Sequence, residues 1–160
     1  MTDAPSVSAG AQTGSAPEPD DLGRAVALLA SGGHTCVLCR GDEVLTSDDH
    51  GPAPLVEWLA QGVELAGFSA ADRVVGRAAA LLYAAGGVRA VHAVLASELA
   101  SGVLAAHEIA FTAEKAVPAI LNRDRTASCP MEALVAGVDD LDVAVSLLRT
   151  AVESRRKAQR

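Results

Sequence analysis

The sequence predicts an α/β fold, a three-layer α/β/α sandwich with an N-terminal hairpin and a mixed sheet. Segments with the apolar spacing of helices alternate with short apolar runs, and strands joined by crossover helices form partly parallel sheets covered on both faces. Two of the short runs flank Arg40-Gly41-Asp42, a Gly-containing turn typical of a β-hairpin. The chain has 160 residues, half of them apolar, which is enough for one domain with one core.

The composition changes near residue 20 and again at the end of the chain. The first nineteen residues are mainly Ala, Ser, Pro, Thr and Gly, which cannot bury enough surface to offset their ordering entropy. We therefore predict a disordered leader at 1–19, a single domain at 20–156 and a basic tail at 157–160.

The first elements are a helix and the hairpin. An Asp at position 20 or 21 can cap the helix, and Gly32-Gly33 can end it. The predicted segments are a helix over about 20–31 and strands over 35–39 and 43–46.

Two further helices are predicted before the middle of the chain. The Pro-Ala-Pro run at 52–54 introduces a short helix, since Pro is favoured in a first helical turn. Ser69-Ala70-Ala71-Asp72 matches a capping box in which Asp replaces the usual Glu. We therefore predict one long helix from residue 69 to about 85, which Gly86-Gly87 ends.

Apolar runs and helical segments continue to alternate in the second half. The predicted segments are a strand over 88–95, a helix over 97–106, a strand over 108–111, an extended piece over 116–121, and helices over 130–136 and 140–156.

Charge and composition exclude several classes of partner. The net charge is −7, and an acidic surface repels the phosphate backbone that dominates nucleic-acid affinity. One Trp, one Tyr and two Phe are too few for a base-stacking platform. No apolar stretch reaches the ~20 residues of a membrane span, and no basic start precedes an apolar run as in a secretory signal. We predict a cytoplasmic protein with no nucleic-acid or membrane partner.

The segment from Asn122 to Glu132 concentrates the groups suited to chemistry. Pro130 is set to open a helix with Cys129 at its N-cap, where backbone N–H groups and the helix dipole favour a thiolate or a bound anion. Asn122, Arg123 and Arg125 could clamp a phosphate or carboxylate, because guanidinium binds such groups bidentately. Cys129 is therefore a candidate nucleophile. The structural alternatives are a thiol that fills a small gap and a loop held by Asn and Arg hydrogen bonds.

Four segments of the chain resemble the prokaryotic family known as domain of unknown function 1893. They are residues 35–44, 67–80, 97–98 and 117–132, and the resemblance runs over roughly residues 20–155. It implies a fold similar to that of the cytidine deaminases, with a hairpin followed by strands that alternate with helices. The family has no established activity, so the resemblance implies a fold and a site but no reaction.

The deaminase zinc site can be compared directly. Cytidine deaminases place His-Ala-Glu or Cys-Ala-Glu at the start of the second core helix and Pro-Cys-x-x-Cys at the start of the third. The matching positions here contain Asp72 and Ser97-Glu98, without the thiols or the His. We therefore predict that the protein is not a zinc-dependent deaminase and that it has no metal site and no cofactor.

The resemblance implies a pocket where helix starts converge, with Cys129 on a third wall. Asp72 would be the catalytic proton acceptor, and Ser97, Glu98 and Glu132 would bind ligand together with Asn122 and Arg123. Each acidic residue has a structural alternative as a helix cap, because a carboxylate in a first turn gains about 0.3–1 kcal/mol from the dipole.

Cys36-x-x-Cys39 and the four histidines carry weaker signals. Residues three apart on a strand point to opposite faces, so these thiols are not expected to chelate one ion. His92 in an apolar strand is interpreted as a core or edge residue with satisfied hydrogen bonds.

Two hypotheses of function follow. In the first, the protein binds or acts on a small polar or nucleotide-like metabolite at this zinc-free site. In the second, it is a non-catalytic interaction or regulatory module that forms homo-oligomers.

Overall fold

The structure is a computed structural model that describes residues 19–121 and 129–159. The predicted leader lies almost entirely outside the described residues, as do Asn122, Arg123 and Arg125. The elements of the described part are α1 (Pro19–Gly32), β1 (Cys36–Arg40), β2 (Glu43–Ser47), α2 (Ala53–Ala60), β3 (Ser69–Val75), α3 (Arg77–Gly86), β4 (Ala90–Ser97), α4 (Glu98–Ala106), β5 (Ala110–Val117), α5 (Pro130–Leu134) and α6 (Leu141–Ala158).

The strands form one mixed sheet in the order β2-β1-β3-β4-β5. β1 is antiparallel to both β2 and β3, whereas β3, β4 and β5 are parallel. The hairpin predicted around Gly41 is confirmed, and Gly41 has the positive φ of 57° that such a turn requires. The sheet is therefore open and mixed, as the sequence predicts.

Helices cover the sheet on both faces, which confirms the α/β class and the three layers. One face carries α1, whose Ala25 and Leu29 pack against Val37, Cys39 and Ala71. The opposite face carries α2, α3, α4, α5 and α6, whose side chains form the main core. No helix of the described residues is long and apolar enough to cross a membrane.

The prediction of one long helix from residue 69 is wrong for residues 69–75. Ser69–Val75 is strand β3, and α3 begins only at Arg77. β3 lies between β1 and β4 with a packed layer on either side, so it lacks the alternation of a half-buried strand. Its alanines favour a helix intrinsically, and the strand pairing on both sides overrides that preference. Asp72 is thus a residue in the middle of a strand and not a helix cap.

The second half differs from the prediction mainly in element boundaries. One continuous strand, β5, includes the end of the strand predicted over 108–111 and the start of the extended piece predicted over 116–121, and residues 118–120 lie outside it. Helices α4, α5 and α6 lie where they are expected, and α6 continues to Ala158, into the residues predicted as a basic tail.

Candidate functional site

A buried polar cluster connects β1, β3 and α3. Cys36 and Asp72 are directly opposite each other on neighbouring strands, and Tyr83 of α3 lies over both. The Tyr83 hydroxyl donates a hydrogen bond to Asp72 Oδ2 at 2.7 Å and lies 3.3 Å from Cys36 Sγ. The backbone N–H of Val74 lies 3.3 Å from Asp72 Oδ1. Both carboxylate oxygens of Asp72 are therefore occupied by groups of the protein itself.

Burial controls the ionisation of this cluster. Asp72 is 7% exposed, and desolvation raises the pKa of its carboxyl to about 7, against the lowering effect of the hydrogen bonds from Tyr83 and Val74. Burial likewise raises the pKa of the Cys36 thiol and of the Tyr83 hydroxyl well above their usual values. Asp72 is thus a carboxyl that changes charge near neutral pH, beside two groups that stay neutral there.

Glu132 binds the first turn of α3, not the first turn of its own helix. Its Oε1 accepts the backbone N–H of Arg77 and its Oε2 accepts that of Ala78, each at 2.7 Å. These N–H groups have no partner within α3, so the carboxylate satisfies two of the four free donors of that helix. The expectation that Glu132 caps α5 is therefore corrected, because it caps α3 across 54 residues of sequence.

Arg77 binds the segment between α5 and α6, which follows Glu132 in the chain. Its guanidinium donates to the carbonyl oxygens of Val135 at 3.1 Å and Val138 at 2.6 Å, and to Asp139 Oδ1 at 2.9 Å. Only 13% of the Arg77 side chain is exposed, so these hydrogen bonds are partly shielded from water. Arg77 and Glu132 together hold the chain from α5 to the start of α6 against α3.

Cys129 is the N-cap residue of α5, as predicted. Its side chain is half-buried against the main core, and its backbone N–H donates to Ile120 O at 3.0 Å. In the described part of the chain, no hydrogen bond joins Cys129 to Asp72. Glu132 lies at the start of α3, directly after the carboxyl end of β3. Catalytic roles for Cys129 and Asp72 remain predictions.

Ser97 and Glu98 lie at the junction of β4 and α4. Ser97 is the N-cap, with its Oγ accepting the Ala100 N–H at 3.1 Å, and its side chain is buried. Glu98 is exposed in the first turn and lines a surface groove between α3 and α4 that Arg77 and Asp139 also line. A ligand-binding role for either residue stays a prediction.

A cavity of about 150 Å³ opens between α2, α5 and the end of α6. We call it the α2–α6 cavity. Arg156 closes one side through contacts with Asp49 Oδ2 at 3.2 Å and with the carboxylate of Glu57. Arg155 forms no ion pair with any side chain that the structure describes. The lining residues are Asp49, His50, Pro52, Ala53, Met131, Val152, Arg155, Arg156 and Gln159.

Sequence analysis missed the residues that line this cavity. Arg155 and Arg156 look like the solvated end of a basic helix, and His50 looks like a loop residue. Arg156 and Asp49 are 107 positions apart, so only the folded chain brings them together. The signal that could have identified Arg155 and Arg156 is their charge. They form a basic pair near the end of a chain whose net charge is −7.

The other polar candidates behave as structural residues. Cys36 and Cys39 pack into different clusters on opposite faces of the sheet, which confirms the prediction from their spacing. His92 is held by Thr112 Oγ1 at 2.7 Å and Glu114 Oε2 at 3.1 Å, so its hydrogen bonds are satisfied as expected. Within residues 19–121 and 129–159, no three His, Cys, Asp or Glu side chains are grouped so that they could hold a metal ion.

A family model and a solved structure are each similar to most of this chain. A family model described as a domain of unknown function (DUF1893) matches residues 24–152, from α1 into α6. The crystal structure of a DUF1893 family protein from Thermotoga maritima is similar to this chain, with 25% sequence identity and a TM-score of 0.77. The similarity covers 84% of this chain and 91% of that one. No curated protein matches the chain. The family match includes Asp49, His50 and Met131 of the cavity and ends before Arg155.

Proposed function

The chain belongs to the DUF1893 family, a domain of unknown function, and from that premise we propose that it binds a small anionic metabolite in the α2–α6 cavity. The observation that carries the proposal is Arg155 in the lining of a cavity, with no ion pair to any side chain of residues 19–121 and 129–159, in a protein whose net charge is −7. The likeness to cytidine deaminases and the cytoplasmic location remain parts of this proposal that the sequence alone supports.

The charges around the cavity favour an anion. Arg156 is balanced by Asp49 and Glu57, which hold its guanidinium against α2. Among the described side chains none forms an ion pair with Arg155, so its positive charge can attract an anionic group in the cavity. Guanidinium binds carboxylate and phosphate groups bidentately, and the His50 imidazole adds a second nitrogen donor to the lining.

The size of the cavity limits the ligand. Its volume of about 150 Å³ is below the ~300 Å³ at which pockets for drug-sized ligands begin. A small organic acid or the phosphate of a larger metabolite fits this volume. The walls formed by Met131 and Val152 are apolar, so we expect a short hydrocarbon portion next to the anionic group.

The test compares two arginines of the same helix. Arg155→Ala removes the proposed anion contact, whereas Arg149→Ala removes an exposed arginine that pairs with Glu153 and does not line the cavity. The ligands are inorganic phosphate, small mono- and dicarboxylates and nucleoside monophosphates, first in a thermal-shift screen and then by isothermal titration calorimetry. Arg123→Ala, measured in the same assay, tests the anion clamp predicted from the sequence.

We expect at least one of these anions to stabilise the wild type and the Arg149→Ala variant equally. Arg155→Ala should weaken its binding by about 10- to 100-fold, the effect of losing one charge-assisted hydrogen bond of about 1.5–3 kcal/mol. Equal affinities for wild type and Arg155→Ala, or no binding of any of these anions to the wild type, would contradict the proposal.

A non-catalytic interaction module is the second candidate, and the capping contacts favour it. Glu132 and Ser97, both predicted to bind ligand, are used to satisfy helix N–H groups. If substitution of Cys129 by Ser and of Asp72 by Asn leaves the cellular phenotype unchanged at normal protein abundance, the module interpretation is supported over an enzyme.

A further inference from the structure

The charged groups around the α2–α6 cavity are distributed unequally between its two arginines. The lining contains the guanidiniums of Arg155 and Arg156 and the carboxylate of Asp49. A second carboxylate, that of Glu57 on α2, contacts Arg156 from outside the lining. Arg156 therefore has two anionic partners, whereas no side chain of residues 19–121 and 129–159 forms an ion pair with Arg155.

Arg156 and its two partners form a group with an excess of one negative charge. Arg156 Nη2 lies 3.2 Å from Asp49 Oδ2, and Arg156 Nη1 contacts the Glu57 carboxylate. A ligand at Arg155 therefore meets one positive charge beside a group of net charge −1. One negative charge on the ligand is balanced by Arg155, whereas a second negative charge is repelled by the excess carboxylate.

We propose that the ligand of this cavity is a monocarboxylate with a short apolar chain, and that Glu57 disfavours ligands with two negative charges. The inference rests on the anion site proposed above and names its ligand class. Dicarboxylates, and phosphate monoesters with a charge close to −2 at neutral pH, are then poor ligands. Such selection combines an attractive group with a repulsive one.

The apolar part of the lining fits a short hydrocarbon chain. Pro52 and Ala53 contribute to it at the start of α2, together with Met131 and Val152, which are buried. At the ~30 Å³ that a water molecule occupies in the liquid, the cavity of 150 Å³ holds about five groups of that size. Each methylene that enters this volume should tighten binding by about two- to fourfold.

Glu57 allows the charge around the cavity to be changed without a change in its lining. Glu57→Gln keeps the length of the side chain and an oxygen that can accept a hydrogen bond from Arg156, and it removes one negative charge. Arg156 is then balanced by Asp49 alone, so the repulsion of a second ligand charge disappears. Glu153→Gln on α6 is the matched control, because Glu153 is exposed, pairs with Arg149 and does not line the cavity.

The first test compares two ligands of the same size on the wild type. Succinate carries two negative charges at pH 7.5, and succinamate carries one. Isothermal titration calorimetry at low salt, where exposed charges are least screened, should give tighter binding of succinamate by about fivefold or more. Among acetate, propionate and butyrate, the affinity should rise with each methylene.

The second test measures the same two ligands on the variants. Glu57→Gln should narrow the difference between succinamate and succinate by about threefold or more, and Glu153→Gln should keep the wild-type difference. Arg155→Ala should weaken the binding of both ligands. Circular dichroism and the melting temperature verify that each variant is folded, and the wild-type comparison decides the charge rule if Glu57→Gln is not.

The outcomes separate this inference from the anion site itself. If succinate binds the wild type as tightly as succinamate and Arg155→Ala weakens both, the anion site stands and the monocarboxylate assignment is wrong. The role of Glu57 is overturned if Glu57→Gln and Glu153→Gln show the same difference between the two ligands. Equal affinities for acetate and butyrate overturn the apolar chain. If no anion binds the wild type, the anion site fails and the ligand class fails with it.

Discussion

The carboxylate of Glu132 fills the space above Gly76. A β-carbon on residue 76 would lie 2.5 Å from Glu132 Oε1 and 2.6 Å from its carboxyl carbon, closer than any real contact. Gly76 is the N-cap residue of α3 and has an ordinary extended backbone, with φ −100° and ψ −171°. Glycine therefore leaves room here for the close approach of the Glu132 carboxylate from α5, and its own backbone conformation does not call for glycine.

The first prediction is that Gly76→Ala and Glu132→Ala remove the same interaction. Glu132→Ala leaves the N–H groups of Arg77 and Ala78 without their acceptor, at a cost of about 0.5–2 kcal/mol in the free energy of unfolding. Gly76→Ala expels the same carboxylate and should cost a similar amount. Urea denaturation of both variants and of the double variant measures the coupling. The double variant should be no less stable than Glu132→Ala alone, and simple additivity would show that the two residues act separately.

The second prediction concerns Arg77. Arg77→Ala leaves the carbonyl groups of Val135 and Val138 without their donor and should lower the free energy of unfolding by about 1–3 kcal/mol. Asp139→Ala is the control, because the Asp139 side chain is 93% exposed and its pair with Arg77 should contribute at most about 1 kcal/mol. Chemical denaturation compares the two variants. Equal destabilisation would mean that the ion pair, and not the carbonyl contacts, holds this segment.

The third prediction is a pH dependence that originates in Asp72. The pKa of its carboxyl is about 7 in the folded state, against an ordinary value of 3.8. Between these values the folded state binds the proton more tightly than the unfolded state, so the free energy of unfolding falls as the pH rises from about 4 to 7. Asp72→Asn removes this titration and keeps an oxygen that can accept the Tyr83 hydroxyl.

The variant should therefore be more stable than the wild type at about pH 8, by on the order of a few kcal/mol, and the two should converge near pH 4. Tyr83 and Cys36, which face the carboxyl, have raised pKa values and stay neutral throughout. Urea denaturation over this range measures the difference between the two proteins. A difference that does not change with pH would show that Asp72 has an ordinary pKa.

The fourth prediction is an order of thiol reactivity. Cys36 and Cys39 are buried on opposite faces of β1, and burial raises the pKa of both thiols. Cys129 is only half-buried. Iodoacetamide at neutral pH should therefore label Cys129 in the native protein and the two strand thiols only after unfolding. Mass spectrometry of peptides after labelling identifies the sites, and rapid native labelling of Cys36 would contradict the burial described here.

Much of the fold could be predicted from local sequence, because its signals are local. The turn at Gly41 marks the hairpin, Asp140 and Ser97 cap the helices that follow them, and Gly87 ends α3 in the left-handed conformation that favours Gly. Strand β3 could not be recognised in this way. Ser69, Ala70, Ala71 and Asp72 are all buried, so the strand shows no alternation of apolar and polar residues, and it forms through pairing with β1 and β4.

The candidate site was predictable only in part for a related reason. The Pro at position 130 correctly places Cys129 at a helix start, which is a local signal. The contact of Arg156 with Asp49, and that of Glu132 with the start of α3, join positions far apart in the chain. Such contacts depend on how the layers pack. They cannot be predicted from the sequence of either segment alone.

Met131 and Glu132 are consecutive residues with different contacts. Met131 lines the α2–α6 cavity, whereas Glu132 accepts hydrogen bonds from the first turn of α3. A molecule that restrains Met131 must therefore also restrain its neighbour. Amide hydrogen exchange at Arg77 and Ala78 should then slow when the cavity is filled, although the molecule touches neither amide. Occupancy of the cavity can thus be followed by isotope exchange at the start of a helix that does not line it.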